Sequence, residues 1–129
     1  MNKRKVMEEL EALLGNMLIH PDVVTEINRL IVGTGNEEKF FKQLTKQLVL
    51  LRELKNDVIN LPQFEKLKAY NGLYSMHLES KEYNIRVLYS YNECNEIILH
   101  CFYEKAGKRI TGYEVHAQIA VRRKEEMED

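Results

Sequence analysis

The 129-residue chain has no tryptophan, only two prolines and only two cysteines. It has no apolar run of the roughly 18–20 residues needed to span a bilayer. Its basic start, Met1-Asn2-Lys3-Arg4-Lys5, passes through Val6-Met7 straight into Glu8-Glu9. That is not the profile of a secretory signal, so a cytoplasmic protein is expected. Cys94 and Cys101 form no metal-type cluster, and two free thiols in a reducing compartment are expected. A zinc site would need more ligands than these two plus the scattered His20, His77, His100 and His116 supply. Neither sign of charge dominates: 19 basic residues meet 20 acidic ones, for a net charge of −1. Nucleic-acid binders tend to be strongly basic overall, and this chain is not. There is no internal repeat and no low-complexity segment.

What is present suits one modest core: 44% hydrophobic and 30% charged residues. Charge is uneven at the back of the chain. Lys105, Lys108, Arg109, Arg122 and Arg123 face only Glu104 and Glu114 before the acidic tail Glu125, Glu126, Glu128 and Asp129.

The front half reads as helical. Val6, Leu10, Leu13, Leu14 and Met17 recur at three- and four-residue spacing, and Gly15-Asn16 supplies a stop. Pro21-Asp22 suits a second helix start, with Val23, Ile27, Leu30 and Ile31 following, until Gly33-Thr34-Gly35 breaks it. Asn36 is a candidate N-cap, and Glu37 and Glu38 place negative charge in the first turn. A long amphipathic stripe then runs Phe40, Phe41, Leu44, Leu48, Leu51, Leu54, Val58, up to Asn60-Leu61-Pro62.

Beyond Pro62 the period changes. One helical turn is expected around Phe64 and Leu67, and a turn at Asn71-Gly72. Leu73 to Ser80 alternates, with Tyr74, Met76 and Leu78 opposite Ser75, His77 and Glu79. Tyr83 to Tyr91 gives a second strand, with Arg86 and Leu88 opposite Ile85 and Val87. Glu96 to Tyr103 gives a third, with Ile97, Leu99 and Cys101 opposite Ile98, His100 and Phe102. Residues 104–110 read as a basic loop. Thr111 and Glu114 have capping-box spacing ahead of a final helix with Val115 and Ile119 inward.

The plan is α+β: N-terminal helices packed on a small antiparallel sheet, then a short C-terminal helix. One sheet face should pack on the long helix. The other would present His77 and Arg86 on adjacent strands, with the Lys105–Arg109 loop near the third strand's end.

The runs Leu73-Tyr74-x-Met76-x-Leu78, Ile85-Arg86-Val87-x-Tyr89 and Ile97-Ile98-Leu99-His100-x-Phe102-x-x-Lys105 resemble the RelE/ParE toxin superfamily, in its HigB-like, phage-derived branch. Phe41-x-x-Leu44, Pro62-x-x-x-x-Leu67-Lys68 and Asn71-Gly72 fit the same pattern. The similarity covers about residues 37–125 and rests on the order of several weak motifs. It divides the chain into an N-terminal helical extension, 1–35, and a RelE-like toxin domain, 36–129, within a single compact unit.

The resemblance implies the toxin of a type II toxin–antitoxin pair. Such a toxin is a ribosome-dependent mRNA endoribonuclease, silenced by a cognate antitoxin protein, needing no cofactor or metal and touching no membrane. Cleavage by 2′-OH attack needs a base for the hydroxyl proton, cations around the phosphate, and an acid or charge at the leaving 5′ oxygen. The resemblance assigns Arg86, His77 and Lys105 to that catalysis, with His77 as general base. Lys108 and Arg109 fall where phosphates are clamped, and Tyr113 would stack on a base or orient the substrate. His100 reads instead as a hydrogen-bonded core histidine, and His116 falls on the last helix.

The chain departs from the family pattern at Glu104-Lys105, where relatives carry paired lysines, at Thr111-Gly112 in place of Thr-Pro, and at Ser75, where a basic residue is usual. Two other functions stay open: a catalytically silent protein-interaction module, and a gyrase inhibitor of the ParE type. Residues 1–35 would cover the long helix, contact an antitoxin or form a homodimer.

Overall fold

The computed structural model describes residues 3–14, 17–93, 95–104 and 109–128. The chain runs α1 (Lys3–Leu14), β1 (Leu18–Ile19), α2 (Pro21–Ile31), α3 (Glu37–Leu54), a 3-10 helix (Lys55–Asn60), β2 (Phe64–Lys66), β3 (Tyr74–Glu79), β4 (Asn84–Tyr91), β5 (Glu96–Tyr103) and α4 (Arg109–Met127). One five-stranded mixed sheet has the order β1-β5-β4-β3-β2. β1 lies parallel to β5, and the other neighbours are antiparallel. No described helix is long and apolar enough to cross a membrane.

Helices cover both faces. On one, α1, α2 and α3 bury Leu10, Val23, Ile27, Phe40, Leu44 and Leu48 against Met76, Val87 and Ile98. Each such side chain, fully buried, contributes about 1.5–3 kcal/mol. The amphipathic stripes of the front half point here, as their spacing predicts. On the other face, α4 sets Ala117 and Ala120 on Leu88, Ile97, Leu99 and Phe102. α4 is 19 residues long, not short, and it lies over the side expected to be open.

Several local expectations are corrected. Phe64–Lys66 is not a helical turn but strand β2, pairing Phe64 with Met76 and Lys66 with Tyr74. Three residues are too few to show a period, and the free edge of β3 decides their conformation. β1, two residues long, had no sequence signal at all. α3 ends at Leu54 because Lys55 takes φ 51°, and a 3-10 helix carries Val58 into the core instead. Asn36 makes no side-chain cap; Glu37 turns back to accept the Gly33 N–H at 2.9 Å. α4 begins at Arg109, so Thr111 sits inside the helix rather than at its cap. Val115 is 54% exposed, and the small Ala117 and Ala120 take the inward positions.

The third strand is also re-phased. Leu88 pairs with His100 but Tyr89 with Ile98, which leaves Leu99 as an extra residue in a bulge. A bulge breaks strict alternation. Ile97, Leu99 and Phe102 therefore face α4, whereas Ile98 and Cys101 face α1–α3. Strict alternation had put Cys101 with Leu99.

Candidate functional site

His77 and Arg86 are direct cross-strand partners on β3 and β4. Side chains so placed on one face stand about 5 Å apart at Cβ. Asn84, which no sequence motif marks, and Glu104, marked only as a departure from the family pattern, complete the group. Asn84 opens β4 on the same face, and Glu104 follows β5. The His77 Nε2–H donates to Asn84 Oδ1, and Glu79 stands 3.5 Å from the same nitrogen. Asn84 Nδ2–H then donates to the Glu104 carbonyl at 3.0 Å, and the Glu104 N–H to the Asn84 carbonyl at 2.9 Å. Arg86 donates through Nε to the Glu104 carboxylate, and its Nη1 lies 3.4 Å from Ser75 Oγ. The row His77–Asn84–Glu104–Arg86 is thus continuous.

This row has chemical consequences. With Nε2–H committed to Asn84, neutral His77 carries its lone pair on Nδ1, where it can accept a proton. The Arg86 side chain is 16% exposed and that of Glu104 10%. Glu104 fixes the guanidinium and offsets its charge, while Nη2 remains for an anion. Glu104 is legible in the sequence as a departure from paired lysines. Its placement beside Arg86 comes only from β4–β5 register, which sets Arg86 opposite Phe102.

Arg86 and Glu104 open into a cleft of about 420 Å³ walled by Glu65, Leu67, Lys68, Tyr70 and Tyr113. That volume is in the range of small-ligand sites. Tyr113 packs edge-on against Phe102 at 5.6 Å, and its hydroxyl is buried. Burial pushes that hydroxyl's pKa up, although Ser75 and the Arg86 charge pull it down. Tyr113 is therefore half-buried in the cleft wall rather than a free stacking platform.

Lys105 and Lys108 lie outside the described residues. Arg109 begins α4, and its side chain is likewise outside them. Tyr83 is buried under α3, where it packs edge-on against Phe40 and donates to Gln43 Oε1 at 2.6 Å.

A second polar cluster closes the outer edge of β5 beyond the short β1. Glu26 of α2 accepts the Cys101 N–H at 2.9 Å and Arg123 Nη1 at 3.0 Å, and stands 2.7 Å from His100 Nδ1. Arg123 also donates to the Leu99 carbonyl at 3.0 Å. Burial opposes ionisation of Glu26, but hydrogen bonds from His100, Arg123 and the Cys101 N–H outweigh it and hold its pKa below the ordinary carboxylate value. His100 is the hydrogen-bonded core histidine its strand suggested, 4% exposed. Its Nε2 meets His116 Nδ1 at 2.6 Å, and the His116 ring stacks on Phe102 at 3.9 Å. Burial pushes the Cys101 thiol pKa up, so that thiol is inert. Among the described residues no group of three or more His, Cys, Asp or Glu is placed to hold a metal ion.

No protein-family model, no curated protein and no solved structure matches the chain.

Proposed function

We propose that the protein is an RNA-cleaving toxin of the RelE/ParE kind, acting on ribosome-bound mRNA and restrained by a cognate antitoxin. The observation that carries this reading is the hydrogen-bonded row His77–Asn84–Glu104–Arg86, whose Arg86–Glu104 end opens into a cleft walled by Tyr113. In this reading His77 Nδ1 takes the 2′-OH proton. The 2′ oxygen attacks phosphorus, the 5′ oxygen leaves, and a 2′,3′-cyclic phosphate remains. Arg86 Nη2 and the basic segment from Lys105 to Arg109 hold the phosphate as charge builds on it. Lys105 is closest in sequence to the Arg86–Glu104 pair and supplies charge at the leaving oxygen. The helical front packed on a small sheet also suits the RelE-like plan.

One observation favours a second reading, the silent interaction module: Arg86 is already paired with Glu104, and His77 with Asn84. The deciding experiment is induced expression without antitoxin, with mapping of mRNA ends, for wild type, Arg86→Ala and His77→Ala. Cleavage that Arg86→Ala abolishes in a folded protein supports the nuclease. Normal growth with intact mRNA supports the silent module. DNA-damage signalling with intact mRNA points to the gyrase inhibitor.

A further inference from the structure

We propose that a second cleft, lined by the ends of α3, β4 and α4, binds a phosphate monoester of mononucleotide size. It encloses about 420 Å³ and shares no lining residue with the cleft at Arg86. Lys55, Gly72, Tyr91, Glu96 and Lys124 supply its chemistry.

Lys124 is half-buried and has no carboxylate partner among the described residues, although its neighbours Arg123 and Glu126 are both paired. An ammonium that makes no direct ion pair is available to an incoming anion. Gly72 makes the room. Its φ is +74°, and a Cβ there would lie 3.3 Å from Lys124 Nζ. The Ser90 hydroxyl donates to the Gly72 carbonyl and pins this turn.

Lys55 supplies the second cation. It is the one non-glycine residue at positive φ among the described residues, with φ 51° and ψ −127°. It stands at the end of α3 in a positive-φ conformation that glycine adopts far more readily than a residue with a side chain. A lysine kept there against its backbone preference is the kind of strain that collects at ligand sites. Two ammonium groups suit a doubly charged phosphate.

Glu96 and its neighbour Glu93 line the same cleft. Carboxylates repel phosphate but accept hydrogen bonds from ribose hydroxyls or from amino groups of a base. Tyr91, which lines the cleft beside them, adds a further polar group. The ligand that uses all of these has an anionic end and a donor-bearing body. A bare anion leaves the carboxylates unanswered.

The test is calorimetric titration of the intact chain with AMP, ribose 5-phosphate, adenosine and inorganic phosphate. AMP should bind saturably at one site. Lys124→Ala should weaken it tenfold or more, with the melting temperature checked in parallel. Lys55→Gly should also weaken AMP while raising thermal stability, which separates lost binding from lost fold. Arg86→Ala should leave AMP affinity as it was, which assigns the signal to this cleft. Ribose 5-phosphate matching AMP supports the site and shows that the base is dispensable; AMP exceeding it supports the site and shows that the base is read. Failure of both esters to bind overturns the proposal. So does inorganic phosphate or adenosine binding as tightly as AMP, or AMP binding untouched by Lys124→Ala.

Discussion

His100 Nε2 and His116 Nδ1 lie 2.6 Å apart, within hydrogen-bond reach. Burial first, then the neighbouring His100, pushes the His116 pKa down to about 4, while Glu26 pulls weakly the other way. Unfolded histidine titrates near 6.5. Between these values the unfolded chain binds more protons, so stability falls as pH drops from about 6.5 toward about 4 and is flat above about 7. Discounted for solvent screening at this half-exposed ring, the loss is about 1 kcal/mol. Urea midpoints at pH 7.5, 6 and 5 should show that slope, and His116→Gln should flatten it.

Glu26 joins α2, β5 and α4 through one carboxylate. Glu26→Ala leaves Arg123 without its buried partner and the Cys101 N–H without an acceptor, and should cost about 3–5 kcal/mol. Glu26→Gln keeps an acceptor for Cys101 and should cost less. Glu26→Leu combined with Arg123→Met should be milder than Glu26→Leu alone, because no uncompensated charge remains. Chemical denaturation of the four variants at pH 7 measures the order.

Lys55 holds a backbone conformation that costs a side-chain-bearing residue about 1–3 kcal/mol. Lys55→Gly relieves that strain but adds freedom to the unfolded chain. The balance should be a gain of about 1 kcal/mol, read as a higher melting temperature. An unchanged or lower value would show that the backbone rearranges around this residue.

In the proposed nuclease, Asn84 would position His77 through its side-chain oxygen without reaching the substrate. Asn84→Ala should lower mRNA cleavage about tenfold by releasing the ring to its other tautomer and orientation. Asn84→Asp keeps an acceptor for Nε2–H, so it should restore part of the rate and move the pH profile upward. A purely structural role would change expression or melting and leave the pH profile in place.

The helices were legible because their stripes are long and regular: Phe40, Phe41, Leu44, Leu48 and Leu51 point to one core, as spacing demands. β3, β4 and β5 were legible within a residue or so. The phase of β5 was not, because the Leu99 bulge depends on what β4 and α4 place opposite it. Val115 and Ile119 looked like the inward face of α4, yet close approach to a packed sheet favoured Ala117 and Ala120. Of the site, the His77–Arg86 pairing followed from alternation and hairpin register. Glu104 and Asn84 did not, because their role arises from where strand ends meet, which no local pattern records.

The bond between Glu26 and Arg123 spans 97 positions of the sequence. The border of β5 is therefore closed from α4 as well as from β1 and α2, and loss of the Arg123 bond to the Leu99 carbonyl would leave a strand margin with an unanswered acceptor, open to other chains.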